Sequence, residues 1–427
     1  MQPLPGFRDF YPEDLAFREA IRCRWRAVAR RYGFVEYDGP VLEPLDLYQK
    51  KSGSELLEQV YQFSDRGGRL VAMRPEITPT LARMVQARHR DYRKPLKWFS
   101  MPQVYRYERA QRGRLREHFQ WNCDILGEES LEADIEVIAL SIDLLRSFGL
   151  GPQDFVVRLS DRGVWTKFCE RHGVREEQRY SLFQAIDKME RRPREKTEEA
   201  LGSLAGPVFR LIEEGEPWEP VERVLAGLHA RGLGSFAERD YRVVRGLAYY
   251  TGTVFEVFDR EGTFRAIAGG GRYDDLIARL GGDPMPAVGF GMGDVVLGEL
   301  LREKGKLEAR LPQPDIFVII AEEEVRPSAI RLVQRLRDLG FSVDYPLHGA
   351  KLKKQWERAE ALGVRHAIVI DVRAIEGMVE VREMASRKSR TVPLEAVGSL
   401  LQGSATDIGE ESRTARMHGL SAGEQLP

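Results

Sequence analysis

The stretch "QVYRYERAQRGRLREHFQWNCDI", residues 103–125, contains the clearest indication of how this chain folds. Apolar and aromatic residues on both of its flanks predict two strands, with a turn near Gly113 between them. The stretch is rich in arginine, at positions 106, 109, 112, 114 and 116. Because a guanidinium is a planar, permanently charged fork, this density indicates a bound anion such as a phosphate or a nucleic-acid backbone. A solvated hairpin with arginine–glutamate pairs is equally consistent with the stretch taken alone.

The second strand of this hairpin predicts a sheet with two different faces. Gln120 and Asp124 lie four residues apart and therefore point to one face, together with His118 and Asn122. The alternate residues are apolar, namely Phe119, Trp121, Cys123 and Ile125. We interpret the polar face as the floor of a binding site. The alternative is a face open to water, which is the commoner case in antiparallel sheets.

Two further charged residues stand in apolar or turn-forming surroundings. Arg245 lies in "VVRGLAYYTGTVFEVF" (243–258), which predicts a strand. A buried arginine requires an anionic partner, which is either a ligand or a structural partner such as Asp274 or Glu256. Glu76 follows a proline turn in "MRPEITPT" (73–80) and either holds an ammonium group or pairs with Arg74. Together with the hairpin, these residues suit an amino acid and a nucleoside triphosphate brought together.

Composition excludes several other classes of protein. The 427 residues carry 65 basic and 66 acidic side chains, so any contact with nucleic acid must come from a local patch. Three scattered cysteines argue against a disulfide framework or a zinc site and favour a reducing cytosol. We find no signal peptide and no membrane-spanning run, and we expect a cytoplasmic protein without membrane partners. The glycine-rich segments "AGGGRY" (268–273) and "GFGMGD" (289–294) match neither a P-loop nor a dinucleotide fingerprint.

The order of predicted elements indicates an α+β protein. Residues 1–305 predict a catalytic domain built on an antiparallel sheet with flanking helices, interrupted by a charged helical insertion at about 170–235. A charged, proline-bearing segment at 303–314 predicts a linker. Beyond it, strands alternate with helices, which indicates a small α/β domain over 313–402. The polar residues 403–427 lack periodicity, and we predict a disordered tail.

These motifs resemble the histidyl-tRNA synthetases, a family of class II aminoacyl-tRNA synthetases, over nearly the whole chain. "YGFVEYDGPVLEP" (32–44) is similar to the class II dimer-interface motif, and the arginine stretch is similar to the hairpin that binds ATP and the tRNA acceptor end. "VRGLAYYTGTVFE" and "AGGGRYDDL" resemble two stretches peculiar to the histidine-specific enzymes. "GAKLKKQWERAEALGVRHAIVI" (349–370) resembles the anticodon-binding domain of the family.

The resemblance implies a role for each matching residue. Glu76, Thr78 and Gln120 would hold the α-ammonium group of histidine, and Asp124 and Tyr250 would bond its imidazole beside Tyr249. Arg106 and Arg245, the implied catalytic residues, would clamp the α-phosphate of ATP. Glu108 and Arg114 would help to hold the adenine and the other phosphates. The residues themselves suggest no metal site, although the resemblance makes Mg²⁺ an expected companion of ATP.

The resemblance also implies the reaction and the partners. L-histidine and ATP would form histidyl-adenylate, from which histidine passes to the 3′-hydroxyl of tRNA(His), and the enzyme would be a homodimer. An alternative is a catalytically silent relative, the histidine-sensing regulatory subunit of ATP phosphoribosyltransferase. Such regulators typically lack the C-terminal domain and the adenylation arginines, which this chain keeps. A nucleic-acid-binding module without chemistry would not explain Arg245, Glu76 and Gln120 together.

Four positions depart from the family pattern. Val296 stands where the third class II motif has the arginine that binds the γ-phosphate, and Ala248 replaces an acid. Asp124 stands for a more usual glutamate, and Ala110 replaces a proline of the hairpin. We take Arg272 as the candidate for the cation that compensates for the missing arginine.

Overall fold

The computed structural model describes residues 1–49, 58–109, 111, 113–245, 249–309 and 311–405. These residues form two compact units, one ending at Glu308 and one beginning at Ala309. Among the described residues, none of the helices combines the length and the hydrophobicity that spanning a bilayer requires.

The first unit contains helices and strands in irregular alternation. Its described helices are α1 (Pro12–Arg31), α2 (Asp46–Gln49), α3 (Thr78–Arg88), α4 (Leu131–Ser147), α5 (Arg162–Arg171), α6 (Glu176–Asp187), α7 (Arg194–Leu201), α8 (Ala205–Glu214), α9 (Glu219–Ala230), α10 (Leu276–Arg279) and α11 (Asp294–Glu303). Its described strands are β1 (Val35–Glu36), β2 (Leu42–Pro44), β3 (Gln62–Ser64), β4 (Leu70–Met73), β5 (Leu96–Ser100), β6 (Gln103–Tyr105), β7 (Glu117–Leu126), β8 (Phe155–Asp161), β9 (Ala237–Arg239), β10 (Thr253–Asp259), β11 (Ala268–Arg272) and β12 (Ala287–Gly293).

A nine-stranded sheet organises this unit. Its strand order is β1-β5-β7-β12-β11-β10-β8-β9, and β6 pairs with β7 in addition. The pairs β1–β5 and β8–β9 are parallel, and the central pairs are antiparallel. The predicted hairpin is therefore present, with β6 and β7 as its strands. Helices α6 to α9 follow β8 and form the predicted helical insertion.

One face of the sheet is packed against helices. Trp121 of β7 stacks on Trp25 of α1, with ring centroids 6.2 Å apart. Apolar residues of the central strands join residues of α1 and α4 in a single buried core; they include Cys123, Ile125, Phe255, Phe290 and Met292. The other face therefore remains available for a site.

A smaller sheet contains the end of the segment similar to the dimer motif, whose earlier strand β1 belongs to the large sheet. It has the order β2-β4-β3 and is antiparallel, with β2 at its edge. Pro44 lies in this edge strand, where its missing N–H costs no ladder hydrogen bond. Pro40 and Pro44 forbid a central, fully paired strand in this segment, and the edge position of β2 agrees with that constraint.

The second unit is a small α/β domain. Its helices are α12 (Arg326–Asp338), α13 (Leu352–Ala361) and α14 (Val397–Ala405), and its strands are β13 (Ile316–Ile320), β14 (Val343–Asp344), β15 (His366–Ile370), β16 (Met378–Glu383) and β17 (Ser389–Pro393). The sheet order is β14-β13-β15-β16-β17, parallel over the first three strands and antiparallel thereafter. Helix α14 extends into the stretch 403–427, of which residues 406–427 lie outside the described residues.

One predicted strand is shorter than expected. The stretch 243–258 predicts a strand throughout, but β10 begins only at Thr253. Arg245 lies in the preceding loop with φ 49°, in the left-handed region that a side chain other than glycine rarely adopts. Residues 246–248, including Ala248, lie outside the described residues.

Candidate active site

Alternate glycines of two neighbouring strands form the centre of the polar face. Gly269 and Gly271 of β11 lie directly opposite Gly291 and Gly289 of β12, respectively. The register places these four glycines on one face, and we call them the glycine floor. In the described residues, atoms of neighbouring segments occupy the space that a Cβ atom would need at each of the four positions; the nearest are side-chain atoms at Gly269, Gly289 and Gly291, and both backbone and Tyr250 atoms at Gly271.

The first row of the glycine floor lies under a guanidinium and an amide. A Cβ atom at Gly269 would overlap the Nη1 atom of Arg245, and one at Gly291 would overlap the Nε2 atom of Gln120. Because Gly269 and Gly291 are cross-strand neighbours, the two head groups lie over adjacent positions of the sheet. The structure thus brings Arg245 and Gln120 together, although they are far apart in sequence.

The second row lies under an aromatic ring and a carboxylate. A Cβ atom at Gly271 would lie 3.0 Å from Cδ1 of Tyr250, and one at Gly289 would overlap Oδ1 of Asp124. Two residues along a strand separate the rows by about 7 Å. A bound amino acid of the length of histidine can therefore span from the Arg245–Gln120 row to the Tyr250–Asp124 row.

Asp124 is a buried hydrogen-bond acceptor at the Gly289 end of the glycine floor. Only 2% of its surface is exposed, and its Oδ1 atom accepts a hydrogen bond of 2.5 Å from the Tyr273 hydroxyl. Burial raises the pKa of the Asp124 carboxyl to about 7, and the hydrogen bond from Tyr273 acts in the opposite direction. Its Oδ2 atom is buried and has no hydrogen-bond partner among the described residues. This end of the floor is therefore covered, unlike a sheet face open to water.

Three tyrosines connect the floor to Glu76. The ring centroid of Tyr249 lies 4.9 Å from that of Tyr250 and 5.8 Å from that of Tyr273. The Tyr249 hydroxyl donates to Oε2 of the buried Glu76 at 3.4 Å. Burial raises the pKa of Tyr249 well above its usual value, and the nearby Glu76 carboxylate adds to the effect. Tyr249 thus stays protonated as a donor at neutral pH.

Arg245 is held by an ion pair. Its Nη1 atom lies 2.8 Å from Oε1 of Glu256, and its Nη2 atom lies 3.5 Å from the Tyr250 hydroxyl. Glu256 belongs to the floor face, directly opposite Gly269. Glu256, one of the two structural partners that the sequence offered for Arg245, is therefore its observed partner. The guanidinium nevertheless remains over the floor, 18% exposed, on a backbone that is strained at φ 49°.

The turn before α3 contributes the carboxylate of Glu76 to the site. The Nε atom of Arg106 donates to the Pro75 carbonyl at 3.0 Å, which joins the hairpin to the turn that carries Glu76. Thr78 is the first residue of α3 and is buried. Arg74 bonds Asp38 at 2.8 Å and the carbonyls of Gly39 and Gln103.

The hairpin beyond Arg106 contains arginine–glutamate contacts. Arg114 pairs with Glu108, which is buried, and Arg116 donates to the Glu108 carbonyl at 3.0 Å. Arg109 is exposed. Arg112 and Ala110 lie outside the described residues. Some of the arginines in this stretch therefore stabilise the hairpin itself.

Two polar residues of the site received no role from the sequence. Tyr273, the donor to Asp124, follows the glycine run of "AGGGRYDDL". His118 shares the floor face, and its ring lies 3.7 Å from a Cβ atom placed on Gly293. Burial, reinforced by the charges of Arg106, Arg8 and Arg114, lowers the pKa of His118 to about 3. The alternation of glycines at positions 269 and 271 and at 289, 291 and 293 was a visible signal for such a floor.

Arg272 is not the compensating cation that the sequence suggested. It lies on the opposite face of β11 from Gly269 and Gly271. There it pairs with Asp134 of α4 and donates to the carbonyls of Glu128 and Ser130. This prediction was wrong because alternation along the strand turns the side chain into the helix layer.

Solved structures confirm the class of fold. A histidyl-tRNA synthetase from Nostoc sp. PCC 7120 superposes with a TM-score of 0.75 at 22% identity, over 94% of this chain and 98% of that one. A protein from Bacillus halodurans described as an ATP phosphoribosyltransferase regulatory subunit/histidyl-tRNA synthetase reaches a TM-score of 0.71 at 23% identity, over 86% and 97%. The first unit therefore has the class II aminoacyl-tRNA synthetase fold.

Sequence comparison gives the particular family. The family model for histidyl-tRNA synthetase matches residues 6–293, and that for the anticodon binding domain matches residues 315–403. A histidine–tRNA ligase of Opitutus terrae is 43% identical over 94% of this chain and 98% of its own length. A chloroplastic/mitochondrial histidine–tRNA ligase of Arabidopsis thaliana is 37% identical over 92% and 85%. The chain belongs to the histidyl-tRNA synthetase family, as its motifs indicated.

Proposed function

We propose that this chain activates L-histidine with ATP and attaches it to tRNA(His). The observation that carries the proposal is the arrangement over the glycine floor. A cation and an amide lie over one row, and a buried acceptor and a tyrosine lie over the next. The curated relatives that match nearly the full chain are ligases of this kind.

The histidine binds along the floor. Its α-ammonium group bonds Glu76, Thr78 and Gln120, and its imidazole donates an N–H to the Oδ2 atom of Asp124. Tyr250 bonds the other side of the ring, and Tyr249 forms the wall. This assignment gives the buried Oδ2 atom of Asp124 the donor that the described residues do not supply.

Adenylate formation takes place over the row formed by Gly269 and Gly291, beside the guanidinium of Arg245. An oxygen of the histidine carboxylate attacks the α-phosphorus in line, and the bond from that phosphorus to the bridging oxygen of the β-phosphate breaks, releasing pyrophosphate. Arg106 and Arg245 stabilise the charge that spreads over the equatorial oxygens, and because both are fixed beforehand, little reorganisation is needed. Glu108 and Arg114 of the hairpin hold the adenine and the remaining phosphates.

In the second step the terminal 3′-hydroxyl of the tRNA attacks the carbonyl carbon of the mixed anhydride. The ester bond forms, the hydroxyl proton passes to a phosphate oxygen of the leaving group, and AMP leaves with the electron pair of the broken C–O bond. The guanidinium groups at the α-phosphate stabilise AMP as the leaving group.

Mg²⁺ accompanies ATP in this proposal. Protein sites for Mg²⁺ use one or two carboxylates together with substrate phosphates. Glu256 supplies a carboxylate on the floor beside Arg245. The described residues contain no group of three acidic, histidine or cysteine side chains arranged to hold a metal ion. The phosphates of ATP would therefore provide most of the ligands of the ion, and the ion would screen their charge.

The second unit is the part of the chain to which we assign tRNA recognition. We assign residues 1–305 to catalysis and residues 313–402 to anticodon binding, which the match over residues 315–403 supports. Helix α13 and the residue before it offer a basic surface, in which Lys351, Lys353, Lys354 and Arg358 are all exposed. Contacts with phosphates from this surface would make tRNA binding sensitive to salt.

We infer that the protein is a homodimer that acts in the cytoplasm. Leu42 of β2 and Phe63 of β3 share one face of the small sheet and are 45% and 47% exposed. Apolar side chains exposed together in this way are typical of an interface. The cysteines Cys23, Cys123 and Cys169 are free, which suits a reducing compartment.

Histidine-dependent exchange of pyrophosphate into ATP tests the proposal. We expect the purified chain to catalyse this exchange and the Arg245→Ala variant to lose it by roughly 100-fold or more. A wild-type protein that binds histidine without exchange would favour the regulatory subunit of ATP phosphoribosyltransferase, which the ligase relatives make the less supported function. Unimpaired exchange by the variant would remove Arg245 from the mechanism.

A further inference from the structure

A second feature adjoins the glycine floor. A cavity of about 570 Å³ lies on the side of β8 and β10, and its lining includes Glu256, the ion-pair partner of Arg245. The hairpin contributes Gly113 to its wall, and the first turns of α11 contribute Val296 and Glu299. Its volume falls within the range of about 300–1,000 Å³ that small-molecule sites occupy. A ligand bound at Arg245 can therefore continue into this cavity.

Three arginines line the cavity, and two of them belong to one ion-pair network. Arg158 lies 2.9 Å from Oε1 of Glu190, and Arg242 lies 2.6 Å from both Glu190 and Asp240. The third, Arg265, comes from the connection between β10 and β11. The cavity thus combines several cations with the end of the floor at which the α-phosphate is proposed to bind.

The connection that carries Arg265 is fixed at both ends. The buried Asp259 accepts hydrogen bonds from the backbone N–H groups of Thr263 at 2.8 Å and Phe264 at 3.0 Å. On the other side, Ile267 donates to the Val257 carbonyl at 2.7 Å. Arg265 itself is half-buried. Its guanidinium is therefore attached to an ordered backbone, as a preorganised anion site requires.

Because residue 296 is valine, helix α11 places no cation in the cavity wall at that position. Its side chain is buried, and its Cγ2 atom lies 3.4 Å from a Cβ atom placed on Gly113. This is the position at which the resemblance implies an arginine for the γ-phosphate, and Arg272 lies on the wrong face to replace it. The cavity must therefore obtain a terminal-phosphate cation from another element.

We propose that Arg265 binds the β- and γ-phosphates of ATP in the cavity beside the glycine floor, in place of the arginine that is absent at Val296. The inference rests on the proposed function, since it extends the same ATP site. Glu190 and Asp259 do not oppose the phosphates strongly, because Glu190 is paired with arginines and Asp259 with backbone N–H groups. The remaining carboxylates at the cavity are Asp187, Glu256 and Glu299. Carboxylates beside substrate phosphates are the protein ligands that Mg²⁺ commonly uses, so these side chains suit an ATP that binds together with the ion.

The test compares two nucleotides on the purified full-length chain. Affinities for ATP and for AMP are measured by calorimetry for the wild type, Arg265→Ala, and Arg265→Ala combined with Val296→Arg. We expect Arg265→Ala to weaken ATP binding by roughly 10- to 100-fold while leaving AMP, which lacks the terminal phosphates, almost unchanged. The double variant should regain part of the lost affinity for ATP, since it restores a guanidinium to the same cavity.

Arg260→Ala is the matched control. Arg260 belongs to the same connection but binds the Pro152 and Ser235 carbonyls outside the cavity. Equal weakening of ATP and AMP in Arg265→Ala, or the same loss of ATP binding in Arg260→Ala, would overturn the inference. The wild type could also fail to catalyse histidine-dependent exchange and still prefer ATP over AMP in a manner that depends on Arg265. That result would contradict the proposed function and leave this inference standing.

Discussion

At the scale of single residues, Asp124 shows a conflict between stability and binding. Its carboxylate is buried with one oxygen bonded by Tyr273, and burial raises its pKa to about 7. In the unfolded chain the same carboxyl ionises near pH 4. Folding therefore favours the neutral acid, and the stability that this preference provides is complete below about pH 4 and is lost as the pH rises to about 7.

Asp124→Asn should thus stabilise the protein in a pH-dependent manner. We expect the variant and the wild type to have similar free energies of unfolding near pH 4, and the variant to gain progressively up to about pH 7, because the amide cannot ionise. Urea denaturation at several pH values measures the difference. A constant difference between pH 4 and pH 8 would contradict a raised pKa at Asp124.

The same substitution should weaken the enzyme. An amide presents both a donor and an acceptor, so it loses the charge-assisted bond to an imidazole N–H. We expect the KM for histidine in pyrophosphate exchange to rise by roughly tenfold or more, with a smaller change in the KM for ATP. Equal changes in both KM values would mean that Asp124 does not contact histidine.

At the scale of elements, the strands β11 and β12 use glycine in two different ways. Gly269 leaves room for the guanidinium at the end of the Arg245 side chain, whereas a Cβ atom on the adjacent Gly270 would meet the backbone carbonyl of Gly289 and the Cα atom of Phe290. A flexible side chain can move aside, but a paired strand cannot. The two neighbours should therefore respond differently to alanine.

Gly269→Ala should lose activity while keeping its fold. We expect its free energy of unfolding to stay within about 1 kcal/mol of the wild type, and its exchange rate to fall by roughly tenfold or more because Arg245 is displaced. Gly270→Ala should instead lose about 1–3 kcal/mol or more of stability through overpacking. Thermal melting and exchange assays on both variants measure these effects, and full activity in Gly269→Ala would refute a floor role for this glycine.

Strand alternation was predictable from the sequence, and contacts between distant segments were not. The period of two in "REHFQWNCDI" is enough to assign Gln120 and Asp124 to one face, because alternation is a local property. The same rule excludes Arg272 from the floor once Gly269 and Gly271 are assigned to it. The pairing of Arg272 with Asp134 depends on how α4 packs on the sheet, which no local pattern reveals.

The environment of Arg245 illustrates the same limit. β-branched and aromatic neighbours predicted an extended strand there, but Arg245 adopts a left-handed backbone conformation. Its contacts with Glu256, Tyr250 and Gly269 come from β10, from the loop before it and from β11. Tertiary packing therefore overrides the local preference, as is usual for β-propensity.

At the scale of the whole molecule, the two compact units should separate two activities. We expect a chain ending at residue 308 to keep histidine-dependent exchange within about twofold, because each unit has its own core. Its affinity for tRNA should fall by at least roughly tenfold through lost phosphate contacts. Filter binding and exchange assays measure the two effects, and loss of exchange on truncation would contradict the division.

A charge substitution in the intact protein provides the control. The full chain with Lys353→Glu and Lys354→Glu should also bind tRNA more weakly, and its binding should depend less steeply on salt. Its exchange rate should match that of the wild type. Unchanged tRNA binding would remove α13 from the interface with tRNA.

The exposed apolar face of the small sheet should decide the oligomeric state. Phe63→Asp places a charge on this face, and we expect the protein to sediment as a monomer because burying an unpaired charge is costly. Ile375→Asp is the control, since Ile375 is 78% exposed but belongs to the second unit. Analytical ultracentrifugation compares them, and a Phe63→Asp variant that remains dimeric would exclude this face as the interface.

A crystal structure with a sulfamoyl analogue of histidyl-adenylate tests most directly whether histidine lies along the glycine floor. We predict that the imidazole will contact Asp124 and Tyr250 over Gly289 and Gly271, and that the sulfamoyl group will contact Arg106 and Arg245 beside Gly269. An analogue bound elsewhere, or bound with its imidazole remote from Asp124, would contradict the assignment of this face as the active site.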